Sequence, residues 1–287
     1  MRILLTGATG FLGRRLLDLL AAHEVFALRR PGPVNTSASS AVEWIAVDLS
    51  HPLAVRALPS RMDALIHLAQ SHRFADFPSA SPEVFAINVA SPLALMNWAL
   101  TAGVSRAVFA STGTVYEPYD AAMTETAPLR PHSFYGASKL SAEHLTLAYQ
   151  SEIAVSHLRL FFLYGPAQTG KLISRLIDNI RAGVPVALPL SGEGLRFSPT
   201  FVDDAAGVFL QACEEGWRGV WNVAGREVAS LQGISEKIGL LAGCQPVFRR
   251  SADIGAAEIL PSLEKLGKSV DLARFVGLDR GLKCTIA

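Results

Sequence analysis

A tyrosine and a lysine stand four residues apart, at Tyr135 and Lys139. On a helix this spacing places both side chains on one face. A tyrosine has an ordinary pKa of about 10, and a nearby ammonium group lowers that pKa because it favours the phenolate. The pair therefore predicts proton exchange with a carbonyl or alcohol oxygen. A chance pair on a solvated helix face is the alternative.

A cluster of hydroxyl groups follows the apolar run 107–110, which is typical of a buried strand. In a parallel sheet, ligands bind at the carboxyl ends of the strands, so Thr112 is a candidate to hydrogen-bond a reacting oxygen. Ser111 and Thr114 are alternatives at the same place. An ordinary helix-cap or turn hydroxyl is the other interpretation of Thr112.

A glycine-rich turn, TGATGFLG at residues 6–13, lies between the apolar run 3–5 and a helix-like stretch at 11–22. Glycine adopts backbone torsions that other residues adopt poorly, and it lets a phosphate approach the backbone. The following helix N-terminus offers free N–H groups to such an anion. The turn therefore predicts a dinucleotide site, with a plain tight turn as the alternative. Its predicted contacts are Gly7, Thr9, Gly10, Phe11, Leu12 and Gly13.

Short apolar strands alternate with helical patterns through the first part of the chain. This alternation predicts an α/β fold with a doubly wound parallel sheet. After residue 165 the pattern indicates a smaller C-terminal α/β lobe. We expect a dinucleotide-binding domain at 1–165, to which 201–224 return, and a mainly substrate-binding lobe at 166–287. The predicted strands lie at 3–5, 25–28, 44–47, 64–68, 107–110 and 157–161.

The composition of the 287 residues, with a net charge of +1, gives no indication of nucleic acid or of a charged membrane surface as a partner. No transmembrane helix or signal peptide is expected. Three widely spaced cysteines form no metal-binding pair and suit a reducing compartment. The expectation is a cytoplasmic protein of enzyme size without a bound metal. The cysteines are Cys213, Cys244 and Cys284.

In their order and spacing, these and further motifs resemble the extended short-chain dehydrogenase/reductases of the NAD-dependent epimerase/dehydratase type, which act on nucleotide sugars and have a Rossmann fold. The resemblance covers nearly the whole chain. Its motifs are the glycine turn, Asp48-Leu49, DALIHLA at 63–69, FAINV at 85–89, Thr112, the Tyr135/Lys139 pair, RLFFLYGP at 159–166, FVDD at 201–204 and WNVAG at 221–225.

The resemblance implies roles for several residues. Tyr135 would be the general acid/base, Lys139 would hold the nicotinamide ribose, and Thr112 would orient the substrate oxygen. Cofactor contacts would also come from Asp48 and Leu49 near the adenine and from Leu68 and Ala69 along the cofactor. Asn88 would support the active-site strand ends. A homodimer through the helices of the Rossmann domain is also implied.

The residues that end the second predicted strand bear on the choice between NAD and NADP. An acidic residue there accepts a hydrogen bond from the ribose 2′-hydroxyl, whereas an arginine accommodates a 2′-phosphate. This chain has Arg29 and Arg30 at that point. They favour NADP, with NAD and a pair of solvated arginines as the alternatives.

The reaction predicted from these features is reduction of a keto group by NADPH, with Tyr135 as the proton donor. Dehydratases of the family carry an Asp-Glu pair directly after the catalytic threonine, whereas this chain has Gly113 and Thr114. A nucleotide-sugar epimerase with bound NAD is one alternative. A reductase of a small non-sugar ketone and a non-catalytic dinucleotide-sensing regulator are the others.

Two residues of the C-terminal lobe bear on the substrate. Arg196 lies where relatives place an arginine on the substrate diphosphate, and a guanidinium group suits that anion. A surface arginine on a turn is the alternative. Phe162 stands where the family has a substrate-contacting asparagine, and a benzyl group cannot supply that hydrogen bond. Phe162 therefore suggests a repositioned diphosphate or a less polar substrate.

Overall fold

A computed structural model describes residues 1–32, 42–120, 122–255 and 257–286. The stretch 31–40, which is rich in Pro, Ser and Gly and for which the sequence predicts a surface loop, falls mostly outside these ranges. The strands of the described part are β1 (Arg2–Thr6), β2 (Glu24–Arg29), β3 (Val42–Ala46), β4 (Ala64–His67), β5 (Arg106–Thr112), β6 (Ala154–Leu160), β7 (Leu163–Tyr164), β8 (Val186–Pro189), β9 (Arg196–Phe197), β10 (Thr200–Phe201), β11 (Gly219–Val223), β12 (Ala229–Ser230), β13 (Phe248–Ser251) and β14 (Glu258–Ile259).

The helices of the described residues include one composite segment. Two α-helices, α2 and α3, are joined by a π-helical turn at Ala86–Ala90, so that residues 81–102 are continuously helical. The α-helices are α1 (Phe11–Leu19), α2 (Ser81–Phe85), α3 (Ser91–Ala102), α4 (Phe134–Leu147), α5 (Leu172–Arg181), α6 (Val202–Glu215), α7 (Leu231–Ala242) and α8 (Leu278–Ile286).

Seven strands form one sheet in the order β11-β6-β5-β4-β1-β2-β3. The ladders that join β1 to β2, β1 to β4, β2 to β3 and β4 to β5 are all parallel. The interior strands β1, β4 and β5 are almost wholly buried, as expected for a sheet covered on both faces. The predicted doubly wound α/β fold is therefore confirmed, and each of the six predicted strands is present.

The helical segment Ser81–Ala102 is long and apolar enough, by length and composition alone, to cross a membrane. The sequence predicted no transmembrane helix, whereas this segment has the length and the apolar composition of one. More than half of its most apolar stretch is buried in the fold, and buried core helices of globular proteins have the same properties. Its side chains Leu95, Met96 and Trp98 belong to the hydrophobic core.

The chain divides into two compact units. Unit 1 consists of Met1–Pro118, Pro128–Arg159 and Ala206–Trp221, and unit 2 consists of Tyr119–Ala127, Leu160–Ala205 and Asn222–Ala287. Unit 1 contains strands β1 to β5 and helices α1 to α4. Unit 2 has its own hydrophobic core, to which α5 contributes Ile173, Leu176, Ile177 and Ile180.

Candidate active site

The glycine turn connects β1 to α1 in unit 1. Gly7 has a φ of +72°, and a Cβ atom at this position would lie 2.8 Å from the amide nitrogen of Ala69. A Cβ atom on Gly13 would lie 2.1 Å from the carbonyl oxygen of Gly7. Gly10 caps α1 without a side-chain hydrogen bond to the first helical N–H groups. The turn therefore requires glycine, and its backbone N–H groups suit a phosphate.

The predicted contacts on either side of this turn differ in exposure. Leu12 is buried in α1, and Thr9 is exposed. Leu68 and Ala69 follow β4 and lie against Gly7. These three predicted cofactor contacts are therefore neighbours in the structure. The predicted contact Phe11 is half-buried at the first position of α1.

At the end of β2, the Arg29 guanidinium donates to two backbone carbonyls through Nη1. The acceptors are the oxygens of Arg30, at 3.1 Å, and Gly32, at 2.7 Å. Arg29 Nε is buried and has no hydrogen-bond partner among the described residues, whereas Arg30 is exposed. A buried donor without a partner is costly, so an anion bound at this strand end would satisfy it.

The motif predicted to contact the adenine consists of one polar residue, Asp48, and one apolar residue, Leu49. Asp48 Oδ1 accepts hydrogen bonds from the Ser50 amide, at 2.9 Å, and from Ser50 Oγ, at 2.7 Å. These bonds hold the pKa of the Asp48 carboxyl below its usual value. Leu49 is buried in the hydrophobic core of unit 1, so its side chain has a packing role.

Helix α4 positions the predicted proton donor. Ser133 caps its N-terminus, with Ser133 Oγ accepting a hydrogen bond of 3.1 Å from the Gly136 amide. One turn beyond Tyr135, the buried ammonium of Lys139 donates a bond of 2.7 Å to the carbonyl oxygen of Ala110 on β5. Burial lowers the pKa of Lys139 to about 8, and the carboxylate of Glu143 partly opposes this effect.

The hydroxyl group of Tyr135 donates a hydrogen bond of 2.9 Å to Oε1 of Gln70. Burial raises the pKa of Tyr135 to about 12, and a hydrogen bond with the Thr112 side chain opposes part of the rise. The prediction that this pKa lies below its ordinary value is therefore wrong, because desolvation of the phenolate dominates. Burial favours the neutral phenol of Tyr135 over the phenolate.

Thr112 is the last residue of β5 and also a cap. Its Oγ1 accepts a hydrogen bond of 3.2 Å from the Thr114 amide and lies 3.0 Å from Thr114 Oγ1. Thr112 is thus a turn hydroxyl in the structure, and its side chain also lowers the pKa of Tyr135. The rival hydroxyl, Ser111, is buried and donates to Glu143 instead, so it points to a different set of groups.

A buried ion pair between Arg159 and Glu143 was not predicted from the sequence. Arg159 donates to both carboxylate oxygens of Glu143, at 3.0 Å and 2.7 Å, and to the hydroxyl of Tyr116, at 2.6 Å. Both charged side chains are at most 3% exposed. The bidentate geometry satisfies charges that would otherwise be costly to bury. Arg159 begins the motif at 159–166, but its partner Glu143 lies 16 positions away, and no local pattern joins the two.

Asn88 in the π-helical turn links two elements around the site. Its Oδ1 accepts a hydrogen bond of 3.2 Å from the Ser71 amide, and its Nδ2 donates one of 3.1 Å to Ser138 Oγ on α4. π-Helical turns occur often at functional sites. Asn88 therefore supports the helix that carries Tyr135 and the segment that follows β4.

Unit 2 contains the two predicted substrate residues. Arg196 on β9 forms an ion pair with Glu258 on the neighbouring strand β14, and both side chains are about half exposed. Phe162 packs against the unit 2 core, with its ring centroid 4.5 Å from that of Phe197. The structure thus gives each residue a protein partner, and their contact with a substrate stays a prediction.

The unit 1 residues can together bind a dinucleotide at the glycine turn and deliver a proton from Tyr135. Within the described ranges, His, Cys, Asp and Glu side chains form no group of three that could hold a metal ion. Tyr135 and Thr112 offer acid–base chemistry at an oxygen atom.

Comparison with known proteins identifies the family. The family model described as "NAD dependent epimerase/dehydratase family" matches residues 3–224. The chain belongs to this family. The match includes the glycine turn, Thr112, Tyr135 and Lys139, and the predicted family resemblance is confirmed.

Individual members of the epimerase/dehydratase family differ in their reactions. A dTDP-glucose 4,6-dehydratase of Streptomyces antibioticus is 32% identical over 68% of this chain and 63% of its own length. A uronate dehydrogenase of Pseudomonas putida is 33% identical over 52% of this chain and 55% of its own length. The chain thus matches less than two thirds of the length of these relatives.

A solved structure of the same family matches the whole fold. The Thermus thermophilus UDP-glucose 4-epimerase in complex with NAD has a TM-score of 0.83, with 27% identity. The match covers 100% of this chain and 98% of that structure. The chain is thus similar to members that carry out dehydration, oxidation and epimerisation.

The family pattern explains the backbone at Phe162. This residue has a φ of +42°, in the left-handed region. Asparagine tolerates that region better than most residues, which gives a backbone reason for the asparagine of the family motif at this position. Phenylalanine keeps the conformation here through its packing in the unit 2 core.

Proposed function

We propose that the protein is an NADPH-dependent reductase of a keto group on a nucleotide-linked sugar, with Tyr135 as the proton donor. The observation that carries the proposal is the position of the Tyr135 hydroxyl group, which donates a hydrogen bond of 2.9 Å to Gln70 Oε1. A reductase needs an acid at the carbonyl oxygen, and this phenol can supply it. Burial raises the pKa of Tyr135 to about 12, so a positive charge that favours the phenolate would make it a stronger acid.

In this mechanism the chain binds the dinucleotide at the glycine turn and supplies the proton. The bound cofactor would supply a hydride from its nicotinamide ring. Thr112 orients the carbonyl oxygen of the substrate, and Tyr135 Oη gives that oxygen its proton. Lys139, held by the Ala110 carbonyl, keeps a positive charge near the tyrosine and stabilises the phenolate that remains.

The sequence after Thr112 argues against dehydration. In the family resemblance, dehydratases use an Asp-Glu pair at the positions of Gly113 and Thr114. Gly113 has no side chain, and the Thr114 hydroxyl lies against Thr112 Oγ1. No carboxylic acid is therefore available at these positions to protonate a leaving hydroxyl group.

The first test of the proposal is Tyr135→Phe, which removes the proton donor and keeps the ring. We expect turnover of a nucleotide-linked 4-keto sugar to fall by roughly 100- to 10,000-fold. The dissociation constant of NADPH, measured by quenching of protein fluorescence, stays unchanged. Tyr149→Phe, on a hydroxyl that bonds Asn97 instead, is the matched control. A Tyr135→Phe protein with normal turnover would exclude the mechanism.

Arg29 supports the choice of NADP within this proposal. Its guanidinium lies at the end of β2, and its buried Nε has no hydrogen-bond partner within the part of the chain that the structure describes. A 2′-phosphate would supply an acceptor for this group, and charge-assisted bonds to phosphate are strong. The substrate class is proposed from the relatives, whose names specify dTDP-glucose and UDP-glucose.

The cofactor assignment predicts a measurable preference. We expect NADPH to bind at least about tenfold more tightly than NADH, and Arg29→Met to remove most of the difference, because one charge-assisted hydrogen bond is lost. Isothermal titration calorimetry with both nucleotides measures the effect. The exposed Arg56, on the 3-10 helix Val55–Ala57, offers a control substitution to methionine. Equal affinities in the unmodified protein would contradict the NADP assignment.

A second candidate function is nucleotide-sugar epimerisation with tightly held NAD. It is favoured by the full-length likeness to a UDP-glucose 4-epimerase whose structure contains NAD. Mass spectrometry of the purified, denatured protein separates the two candidates. Retained NAD, together with interconversion of UDP-glucose and UDP-galactose, would favour the epimerase. A purified protein that carries no bound nucleotide would favour the reductase.

A further inference from the structure

The segment that follows β4, residues 68–80, brings a polar side chain to the reacting end of Tyr135. Oε1 of Gln70 accepts the hydrogen bond of 2.9 Å from the tyrosine hydroxyl. The ring of Phe74, from the same segment, lies beside the tyrosine ring with a centroid distance of 4.7 Å. Gln70 therefore contacts the very atom that would release the proton.

A carboxamide has a property that most side chains at such a position lack. It carries an oxygen acceptor and an NH₂ group with two donors, and it exchanges them by turning about its last bond. While Tyr135 is protonated, the oxygen accepts. Once the proton has left, the phenolate requires donors, and hydrogen bonds to a charged oxygen are stronger than those between neutral groups.

We propose that Gln70 is a catalytic residue whose carboxamide accepts from the Tyr135 hydroxyl until substrate binds and donates through Nε2 to the phenolate once the proton has been transferred. The inference rests on the proposed function, in which Tyr135 protonates a carbonyl oxygen. In that step the O–H bond of Tyr135 breaks and a new O–H bond forms on the substrate. The hydride from the reduced nicotinamide completes the alcohol at carbon, and water returns the proton to the phenolate.

The phenolate oxygen would have Gln70 Nε2 and Thr112 Oγ1 as donors from two different elements. The Thr112 side chain lowers the pKa of Tyr135, which is the effect of a donor to the phenolate. The two residues flank the hydroxyl from the segment after β4 and from the end of β5. A carbonyl oxygen that accepts the proton from Tyr135 must take the place of Gln70 Oε1, so the carboxamide turns as the substrate enters.

The charged and titratable groups on the surrounding elements are the same residues in the parent protein and in every Gln70 variant. Burial keeps the pKa of His67 at about 3, so this neighbour on β4 is neutral. Differences between Gln70 variants therefore report on the carboxamide itself. The groups are Lys139 and Glu143 on α4, His67 on β4, His72, Arg73 and Asp76 in segment 68–80, Glu83 on α2, and Glu117, which bonds the Ser133 amide and hydroxyl before α4.

The test is a titration that requires no substrate. A fluorinated tyrosine incorporated at position 135 has a more acidic phenol than tyrosine. Its phenolate therefore forms at a pH at which the protein is still folded, and the absorbance of the phenolate gives the midpoint of the titration. Gln70→Met keeps the length of the side chain and removes its donors. We expect the midpoint to rise by one to two pH units, because a hydrogen bond to the charged form is lost.

A second variant, Gln70→Glu, removes the donors without changing the size of the side chain. Glutamate keeps the size and the acceptor oxygen, but it has no N–H group and adds a negative charge. We expect its midpoint to rise further than that of the methionine variant. Because this variant is isosteric, it also tests the proposal on its own if the methionine variant does not fold. The control is Gln211→Met on α6, where the side chain bonds Glu215.

An unchanged or lowered midpoint in Gln70→Met, or a midpoint in Gln70→Glu at or below that of the parent, would overturn the role of Gln70. Neither result depends on turnover. Normal activity in Tyr135→Phe would instead overturn the proposed function and leave the titration unchanged. The two failures are thus distinguishable.

Discussion

At the scale of single residues, His67 shows how deeply the site is embedded in the core of unit 1. Its ring is 2% exposed, and Nδ1 lies 2.9 Å from Thr6 Oγ1. Burial lowers its pKa to about 3, and the positive charges of Lys139 and of protonated His157 add to this effect. The folded protein therefore keeps this imidazole neutral through the mildly acidic range.

The lowered pKa of His67 predicts an acid-dependent loss of stability. The unfolded chain binds a proton at this residue below about pH 6.5, whereas the folded chain does not, so the unfolded state binds more protons. The free energy of unfolding therefore falls as pH falls from about 6.5 toward 3, by up to about 1.4 kcal/mol per pH unit for this group.

His67→Asn should reduce the slope of stability against pH by the contribution of one proton. Asparagine keeps a polar atom near Thr6 Oγ1 and does not titrate. The slope is not abolished, because burial also lowers the pKa of His157 to about 4. Urea unfolding between about pH 7.5 and pH 5 measures the slope. The same substitution at the exposed His132 is the control, and an unaltered slope in His67→Asn would refute the argument.

Residue types at the site were predictable where backbone or chain spacing constrains them. Tyr135 and Lys139 follow from an i, i+4 spacing, and the glycines from a turn that leaves no room for a Cβ atom. Gln70 was not predictable, because its contact with Tyr135 joins residues 65 positions apart. No local pattern determines such a pair. The raised pKa of Tyr135 was missed for the same reason, since burial depends on the packed core.

At the scale of elements, the turn between β1 and α1 depends on close packing of backbone on backbone. A Cβ atom on Gly13 would lie 2.1 Å from the Gly7 carbonyl oxygen and 2.7 Å from the Ala8 Cα atom. Neither atom belongs to a flexible side chain, so the start of α1 would have to move. Such a movement displaces the N–H groups that bind phosphate.

Gly13→Ala is therefore expected to weaken NADPH binding by at least about tenfold, equivalent to roughly 1.4 kcal/mol. It also lowers the urea midpoint. Gly207→Ala on α6 is the matched control, because a Cβ atom at that position would have nothing within 4 Å. Alanine is the better helix former, so the control should keep or slightly raise stability. Fluorescence titration of both variants provides the comparison, and equal affinities would rule out the packing argument.

Element boundaries reveal what sequence patterns could and could not predict. The strands of the sheet were predicted within a few residues, because apolar runs between turn residues are typical of buried parallel strands. The π-helical turn at Ala86–Ala90 was not predicted, since the apolar pattern continues through it. Its position is linked to Asn88, whose hydrogen bonds to Ser71 and Ser138 join elements distant in sequence.

At the scale of the whole molecule, exposed apolar side chains on the helices of unit 1 bear on oligomeric state. Phe85 on α2 is 54% exposed, Leu100 on α3 is 44% exposed, and Leu145 on α4 is 40% exposed. Helices α3 and α4 pack against each other. We propose that these helices form a homodimer interface, since large apolar side chains on neighbouring helices favour association.

A double substitution, Leu100→Glu with Leu145→Glu, should convert the dimer to a monomer in light scattering after size exclusion. Placing charges in an apolar interface costs desolvation energy without pairing. The control is Leu240→Lys on α7, where the side chain is 85% exposed in unit 2. A parent protein that is already monomeric, or a double variant that remains dimeric, would exclude this interface.

The division of unit 1 into three chain segments has a consequence for biosynthesis. Its last segment, Ala206–Trp221, is made only after the segment Leu160–Ala205 of unit 2 has been synthesised. A growing chain that ends near Arg159 thus lacks α6, whose Ala206, Val208 and Phe209 are fully buried in the finished protein. The apolar surface that this helix covers remains open to chaperones during translation of about fifty residues, and unit 1 becomes complete only late in synthesis.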